Sequence, residues 1–244
     1  MSATGAGDVA GRAVLVVSPH FDDVPLSLGQ SLLDGSLAAA SRVDVRVVFG
    51  RTNWCLQLHP TRRRARVVTA WRRAEEAVAA RRFGYRIRAE PLEEAILRTG
   101  TLDAEEFRSG GASGDPLVGA VEALLWQWRT EADVLWMPAG VGRHVDHEIV
   151  AAAGARLAAA DPSSIAFYEE RPYTSWLDLE GIEAQVADLG LDLTAVSVSG
   201  AISADTQRSV GRIYRSQIDA EFESGQRFDR DQGRTERVWV PALP

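Results

Sequence analysis

Residues 13–23 read AVLVVSPHFDD, an unbroken apolar run followed at once by a histidine and two adjacent carboxylates. A short β-branched run without polar alternation is typical of a strand buried on both faces, as in parallel sheets. His20, Asp22 and Asp23 would then stand at the carboxyl end of that strand. Burying an unpaired carboxylate costs at least several kcal/mol, so this stretch needs a cation or a charged partner beside it.

A second polar cluster lies far along the chain. Residues 144–147 read HVDH and follow the apolar run VLWM at 134–137. Three of the four histidines therefore fall in two short clusters. Histidine and carboxylate side chains are the usual ligands of zinc in catalytic sites, so this concentration predicts a metal site.

The order of apolar and amphipathic segments predicts the fold. Strands alternating with helices favour right-handed βαβ units and a mostly parallel sheet. We expect a Rossmann-like, doubly wound α/β fold with strand order 3-2-1-4-5, helices on both faces and a C-terminal αβ extension. One domain over 1–244 is predicted, with a core at 13–176 and the extension at 177–244. The predicted strands are 13–19, 43–49, 85–92, 132–138, 165–168 and 193–198. The predicted helices are 23–40, 62–83, 116–130, 144–160, 179–189 and 205–222, with a charged loop at 223–237.

This topology brings the two polar clusters together. Ligands of open α/β sheets bind at the carboxyl ends of the strands, and strands one and four are neighbours in the predicted order. A dinucleotide site is excluded, because the first turn has no glycine-rich motif and its aspartates would repel phosphate. The clusters offer more metal ligands than the three a catalytic zinc needs, which leaves side chains for acid–base work. Iron(II) accepts the same ligand types and is the alternative metal.

The composition excludes several other functions. The net charge of −7 argues against a nucleic-acid partner, and no apolar stretch reaches the length of a membrane helix. All 27 basic residues are arginine, which excludes lysine Schiff bases and a Walker A lysine. The single cysteine, Cys55, forms no internal disulfide and fits a reducing compartment, so we expect a cytoplasmic protein. A cysteine-poor exported protein is the alternative.

Several motifs together carry a resemblance to a known family. SPHFDD at 18–23 with LSLG at 26–29, and GRHVDH at 142–147, resemble the PIG-L/LmbE-like family of zinc-dependent N-acetylglucosaminyl deacetylases. RRAEE at 72–76, Glu94 near Arg98, and YRSQ at 214–217 resemble further landmarks of that family. The resemblance spans about residues 13–220. Val24 and Ser27 depart from it, because the family usually has glutamate and glycine at these positions.

The resemblance implies a role for each site residue. His20, Asp23 and His147 would be the metal ligands and Asp22 the general base. His144, as an imidazolium, would stabilise the oxyanion or protonate the departing amine, and Asp146 would tune it. The two residues implied in substrate binding are Arg72 and Glu94.

The expected function is therefore a metal-dependent hydrolase. It would remove an N-acetyl group from an amino sugar or a sugar-containing small metabolite, using Zn²⁺ or, alternatively, Fe²⁺. A non-hydrolytic relative that keeps the metal site for binding or for structure is the second hypothesis. The sequence leaves a homo-oligomer open, and it indicates neither a membrane nor a nucleic-acid partner.

Overall fold

A computed structural model describes residues 5–101, 107 and 112–242. The strands in chain order are β1 (Ala13–Ser18), β2 (Arg42–Val47), β3 (Arg86–Ala89), β4 (Val134–Pro138), β5 (Ile165–Tyr168), β6 (Leu193–Ala201) and β7 (Thr235–Pro241). The α-helices among these residues are α1 (Asp23–Asp34), α2 (Ala65–Phe83), α3 (Ala95–Thr99), α4 (Pro116–Trp128), α5 (Val145–Ala160), α6 (Leu179–Ala187), α7 (Ala204–Ile213) and α8 (Ala220–Asp231).

The strands form one sheet in the order β3-β2-β1-β4-β5-β7-β6. The first five strands pair in parallel, which confirms the predicted doubly wound order. β7 joins β5 in antiparallel orientation and β6 pairs with β7, so the C-terminal part of the chain extends the sheet.

The central strands owe their position to their apolar sequence. In β1, Val14 and Val16 pack into one hydrophobic cluster, and Leu15 and Val17 pack into another on the opposite face. A strand buried on both faces has no polar side, which is why these positions are uniformly apolar. Among the described residues, no helix combines the length and apolarity needed to cross a membrane.

The C-terminal part differs from the predicted helix at 205–222 and loop at 223–237. The chain forms two helices there, α7 and α8, and then the strand β7. The break is stabilised by Asp219, whose side chain accepts hydrogen bonds from the backbone N–H groups of Glu221 and Phe222. The apolar residues Val238 and Trp239 then pair with β5 and β6.

Helix α1 contains a kink that a distant side chain stabilises. Leu28 has non-helical angles, φ −131° and ψ 15°, so the helix restarts after it. The backbone N–H groups of Gln30 and Ser31 would then lack partners, and the carboxylate of Glu236 in β7 accepts both, at 2.8 and 2.7 Å. Glu236 is buried. The C-terminal strand thereby holds the helix that begins at the first polar cluster.

Replacing Glu236 with glutamine tests this contact. One of the two backbone donors would then face an amide NH₂, and a buried donor without an acceptor costs about 1–3 kcal/mol. We expect the free energy of unfolding of Glu236→Gln to fall by about that amount in urea titration. Glu183→Gln, at an exposed position of α6, is the control and should unfold like the unmodified protein. Equal stability of both variants would contradict the role of Glu236.

Candidate metal and catalytic site

The two polar clusters meet at one edge of the sheet, as predicted. The first cluster lies between the end of β1 and the start of α1, and the second lies at the start of α5, after β4. Because β1 and β4 are parallel neighbours, their carboxyl ends are adjacent. His144 is the N-cap of α5, which places His147 on the first turn of that helix.

Three side chains bring metal-binding atoms close together. His20 Nδ1 lies 3.3 Å from His147 Nε2 and 3.6 Å from Asp23 Oδ2, and His147 Nε2 lies 3.5 Å from Asp23 Oδ1. Two ligands bound tetrahedrally to zinc at its usual bond lengths are roughly 3.3–3.6 Å apart. Each of these pairwise distances therefore fits two ligands of one metal ion. The two contacts of Asp23 use different oxygens, and Oδ2 also accepts the backbone N–H of His20 at 2.6 Å.

The charges around these donors also favour a cation. Burial alone would lower the pKa of His20, but the nearby carboxylates of Glu94, Asp146 and Asp23 outweigh it and raise the pKa to about 9. For Asp23, burial opposes ionisation, and the charges of His147 and His20 overcome it and lower its pKa. The centre of the cluster thus stabilises positive charge strongly.

His144 lies beside these donors but has a different environment. One ring nitrogen from each of His20, His144 and His147 lies within 4.8 Å of the other two, so the three rings form a second set of potential ligands. Its Nδ1 accepts a hydrogen bond from the backbone N–H of Asp146 at 3.2 Å. Burial and the charges of His20 and His147 lower the pKa of His144 to about 3. With Nδ1 accepting this hydrogen bond, Nε2 is the ring nitrogen that carries the proton. The role of His144 toward the oxyanion or the departing amine stays a prediction.

Asp146 contacts His20 rather than His144 through its carboxylate. Asp146 Oδ2 lies 2.9 Å from His20 Nε2 and accepts the backbone N–H of Ala95 at 2.9 Å. Arg98 forms an ion pair with the other oxygen at 2.7 Å. A carboxylate on the outer nitrogen of a metal-binding histidine fixes the orientation and the tautomer of the ring. Asp146 is placed to fix the ring of His20 in this way, because it contacts His20 Nε2 and leaves Nδ1 for a metal.

Glu170 contacts the outer nitrogen of His147, as Asp146 contacts that of His20. The sequence analysis did not predict Glu170 as a site residue. Its Oε1 lies 3.3 Å from His147 Nδ1. The carboxylate also accepts the backbone N–H groups of Ala139, Gly140 and Val141, at 2.7 to 3.2 Å. The only sequence signal was its location directly after β5, where surface ion pairing is an equal alternative. The structure buries it fully.

Asp22 is the remaining carboxylate of the first cluster. Its Oδ1 accepts a hydrogen bond from Arg72 Nη2 at 2.6 Å, and Arg72 Nη1 donates to Glu94 Oε1 at 3.2 Å. Burial raises the pKa of Asp22, aided by the charge of Asp23 and opposed by that of Arg72. Asp22 is thus a stronger base than an ordinary aspartate. Arg72 and Glu94, predicted to bind substrate, line the same pocket as Asp22.

The two positions that depart from the family pattern have separate structural roles. Val24 is fully buried in the hydrophobic cluster beneath α1. The hydroxyl of Ser27, also buried, accepts the backbone N–H of Arg171 at 3.1 Å. Arg171 lines the pocket together with Tyr173, so Ser27 connects α1 to the pocket wall.

The pocket above the polar cluster has a volume of about 290 Å³ and contains His20, Asp22, Asp23 and His144 at its floor. Its walls are mainly apolar and include four aromatic rings, those of Trp54, Phe107, Tyr173 and Phe222. A mostly apolar pocket with a few converging polar groups is the usual form of a small-molecule site.

Comparisons with known proteins agree with this geometry. No protein-family model matches the chain. The 2′-N-acetylparomamine deacetylase of Streptomyces fradiae is 35% identical over 219 residues, which cover 85% of this chain and 74% of that protein. Among solved structures, the A40926 pseudoaglycone deacetylase has a TM-score of 0.60 at 18% identity, covering 96% of this chain and 98% of the other. The zinc-inhibited form of teicoplanin deacetylase has a TM-score of 0.57 at 15% identity, covering 94% and 98%.

The structural matches show a shared fold, and the sequence match shows common descent over most of the chain. The motifs at 18–23 and 142–147 meet in one pocket, as the resemblance to deacetylases required. The chain therefore belongs to the PIG-L/LmbE-like family of deacetylases.

Proposed function

We propose that this protein is a metal-dependent N-deacetylase that removes an acetyl group from an amino sugar within a small metabolite. The observation that carries the proposal is the spacing of His20, Asp23 and His147, whose pairwise distances fit ligands of one metal ion, beside the basic carboxylate of Asp22. The relative that deacetylates 2′-N-acetylparomamine supports a sugar-containing substrate.

His20, Asp23 and His147 would hold the metal, with Zn²⁺ as the first choice and Fe²⁺ as the alternative. Their donor atoms have the pairwise spacing of metal ligands, whereas His144 uses Nδ1 to accept a backbone N–H. A bound metal would polarise the amide carbonyl of the substrate and lower the pKa of the water molecule that attacks it. Asp146 and Glu170 would keep the two histidine rings in place through their outer nitrogens.

The protein's own groups would move the protons. Asp22 takes a proton from the attacking water, whose oxygen forms the new bond to the acetyl carbon. His144 would donate a hydrogen bond from Nε2 to the carbonyl oxygen as that oxygen gains negative charge, and it keeps its proton throughout. When the carbon–nitrogen bond breaks, Asp22 returns the proton to the amine. Arg72 holds Asp22 in position throughout and leaves its second oxygen for this transfer.

A non-hydrolytic binding protein is the alternative, and the site argues against it. A metal held only for binding or structure needs no additional buried base. Asp22 is buried, and the loss of hydration raises its pKa. It lies in the same pocket as the metal-binding atoms. Perturbed carboxylates in a pocket are typical of catalytic sites.

Arg72 and Glu94 are proposed to contact the sugar ring. Both are buried at the pocket floor, and together they offer a donor and an acceptor for hydroxyl groups. A location in the cytoplasm belongs to the same proposal, since the single cysteine suits a reducing compartment.

Removal of the metal should abolish deacetylation. Dialysis against a chelator is expected to reduce amine release from N-acetylated sugars to background, and Zn²⁺ or Fe²⁺ should restore it. A ligand present at about 100 times its Kd stabilises the folded state by about 2.7 kcal/mol, so the metal should also raise Tm. His147→Ala should lose both responses, whereas His59→Ala, an exposed histidine outside the cluster, should keep them. Full activity of the chelated protein would refute the proposal.

Replacing Asp22 with asparagine separates proton transfer from metal binding. The amide can still accept the hydrogen bond of Arg72 but is not a base, so kcat should fall by about 10²- to 10⁴-fold. Metal content measured by mass spectrometry should stay at the unmodified level. Asp34→Asn, at the far end of the same helix, is the matched control and should retain kcat. A normal kcat in Asp22→Asn would show that another group is the base.

Replacing Asp146 with asparagine tests whether this residue acts through His20. Loss of a carboxylate on a ligating histidine typically weakens metal affinity by about 10- to 100-fold. We expect that loss in Asp146→Asn, measured by competition with a chromogenic chelator. The exposed Asp205→Asn should bind metal normally. Unchanged metal affinity with an altered pH profile of kcat would instead indicate that Asp146 acts through His144.

A further inference from the structure

We propose that Gln185, on helix α6 of the C-terminal extension, is a positioning residue for His144. It accepts the backbone N–H of Gly142 and so holds the loop 139–143 in the conformation that places the His144 ring in the pocket. This inference rests on the proposed function and deepens it, because it names the group that keeps the oxyanion donor in place. It also gives the C-terminal extension a part in the reaction.

The loop between β4 and α5 has an unusual backbone. Gly140, Gly142 and Arg143 have positive φ angles of 83°, 92° and 57°. Among the residues that the structure describes, Arg143 is the only non-glycine residue with a positive φ. This region is disfavoured for a residue with a Cβ, and it persists only where neighbouring groups enforce it. Because Arg143 directly precedes His144, the conformation of the loop determines where the histidine ring lies.

Side chains from other elements pair the backbone N–H groups of this loop. The carboxylate of Glu170 accepts those of residues 139–141, at 2.7 to 3.2 Å. Gln185 Oε1 accepts the N–H of Gly142 at 2.8 Å, and Arg143 donates its N–H to a carbonyl oxygen within the loop. All five N–H groups are thus paired. Gln185 supplies the last acceptor from another element before α5 begins.

The packing around the loop leaves the position of Gly142 little freedom. A Cβ added there would lie 2.2 Å from Cγ of Tyr173, so the backbone is in close contact with that ring. On the other side, α6 is anchored by Ile182 and Val186, which are buried in a hydrophobic cluster. Gln185 lies between these two residues on the same helix, so its amide is presented to the loop from a fixed support.

The metal-binding atoms do not depend on this contact. His147 lies on the first turn of α5, and Glu170 contacts its ring at Nδ1. Removal of the Gln185 acceptor leaves both of these features in place, whereas it frees the loop immediately before His144. A shift of about 1 Å in a catalytic group can cost about 100-fold in rate. The proposal therefore separates a loss of kcat from any loss of metal.

The experiment removes the acceptor and keeps the approximate shape of the side chain. With methyl N-acetylglucosaminide as substrate, Gln185→Leu should lower kcat about 10- to 100-fold with KM within about 2-fold, as for an interaction made only in the transition state. Metal affinity, measured with a chromogenic chelator, should stay within about 2-fold. Gln185→Glu restores an acceptor and should recover most of kcat. Gln127→Leu, at an exposed position of α4, is the matched control and should retain kcat.

A double variant tests whether Gln185 acts through His144. His144→Ala alone should lower kcat about 10²- to 10³-fold, as for loss of an oxyanion donor. Adding Gln185→Leu should cost no more than about a further 2-fold, because the ring that Gln185 positions is already absent. A further loss of 10-fold or more in the double variant would overturn the proposal. So would a normal kcat in Gln185→Leu, or a loss of metal affinity as large as the loss of kcat.

If the unmodified protein releases no amine, the proposed function fails, and NMR then decides on the positioning. Hydrogen exchange at the amide of Gly142 should be at least about 10-fold faster in Gln185→Leu than in the unmodified protein, because the amide has lost its acceptor. The ring resonances of His144 should shift in the same variant, and Gln127→Leu should show neither change. Unchanged exchange at Gly142, or an unmoved His144 ring, would overturn the role of Gln185.

Discussion

The need to pair buried charge at one edge of the sheet determines the arrangement of this site. Four carboxylates lie at or near the carboxyl ends of β1, β4 and β5, and each is buried. Asp22 is paired with Arg72, and Asp23 lies between His20 and His147. Asp146 and Glu170 contact the outer nitrogens of those same histidines. The histidines thus lie between inner and outer carboxylates, an arrangement that fixes their rings and favours a cation between them.

Much of this arrangement was predictable from sequence, because the two strands that carry the polar clusters are recognisable from their apolar runs. The apolar runs of β1 and β4 have no polar alternation, and each ends in a histidine and carboxylate cluster. The doubly wound order then makes those ends neighbours. Glu170 was not predictable in the same way, since one acidic residue after a strand reads equally as a surface ion pair. Only its contacts with three backbone N–H groups and with His147 show its role.

The C-terminal region shows a different limit of sequence reasoning. Periodicity favours one helix over 205–222, yet the chain leaves the helix after Ile213 and starts another at Ala220. The intervening segment forms tertiary hydrogen bonds, above all those of Ser216 with Glu75 of α2. The helical periodicity of residues 205–222 carries no information about Glu75, which is distant in sequence. Tertiary contacts therefore override the local preference for one continuous helix. The same segment brings the buried Gln217 into the lining of the pocket.

Ser27 shows how the site and the pocket wall depend on one scaffold. It lies on α1, one turn after Asp23, and its hydroxyl accepts the N–H of Arg171 in the pocket wall. The side chain of Arg171 in turn forms an ion pair with Asp229 of α8 at 2.9 Å. One chain of buried contacts therefore runs from the helix that carries the proposed metal ligand to the helix that carries Phe222. Because Ser27, Arg171 and Asp229 are all buried and paired with one another, these contacts hold α1 and α8 in fixed positions on either side of the pocket.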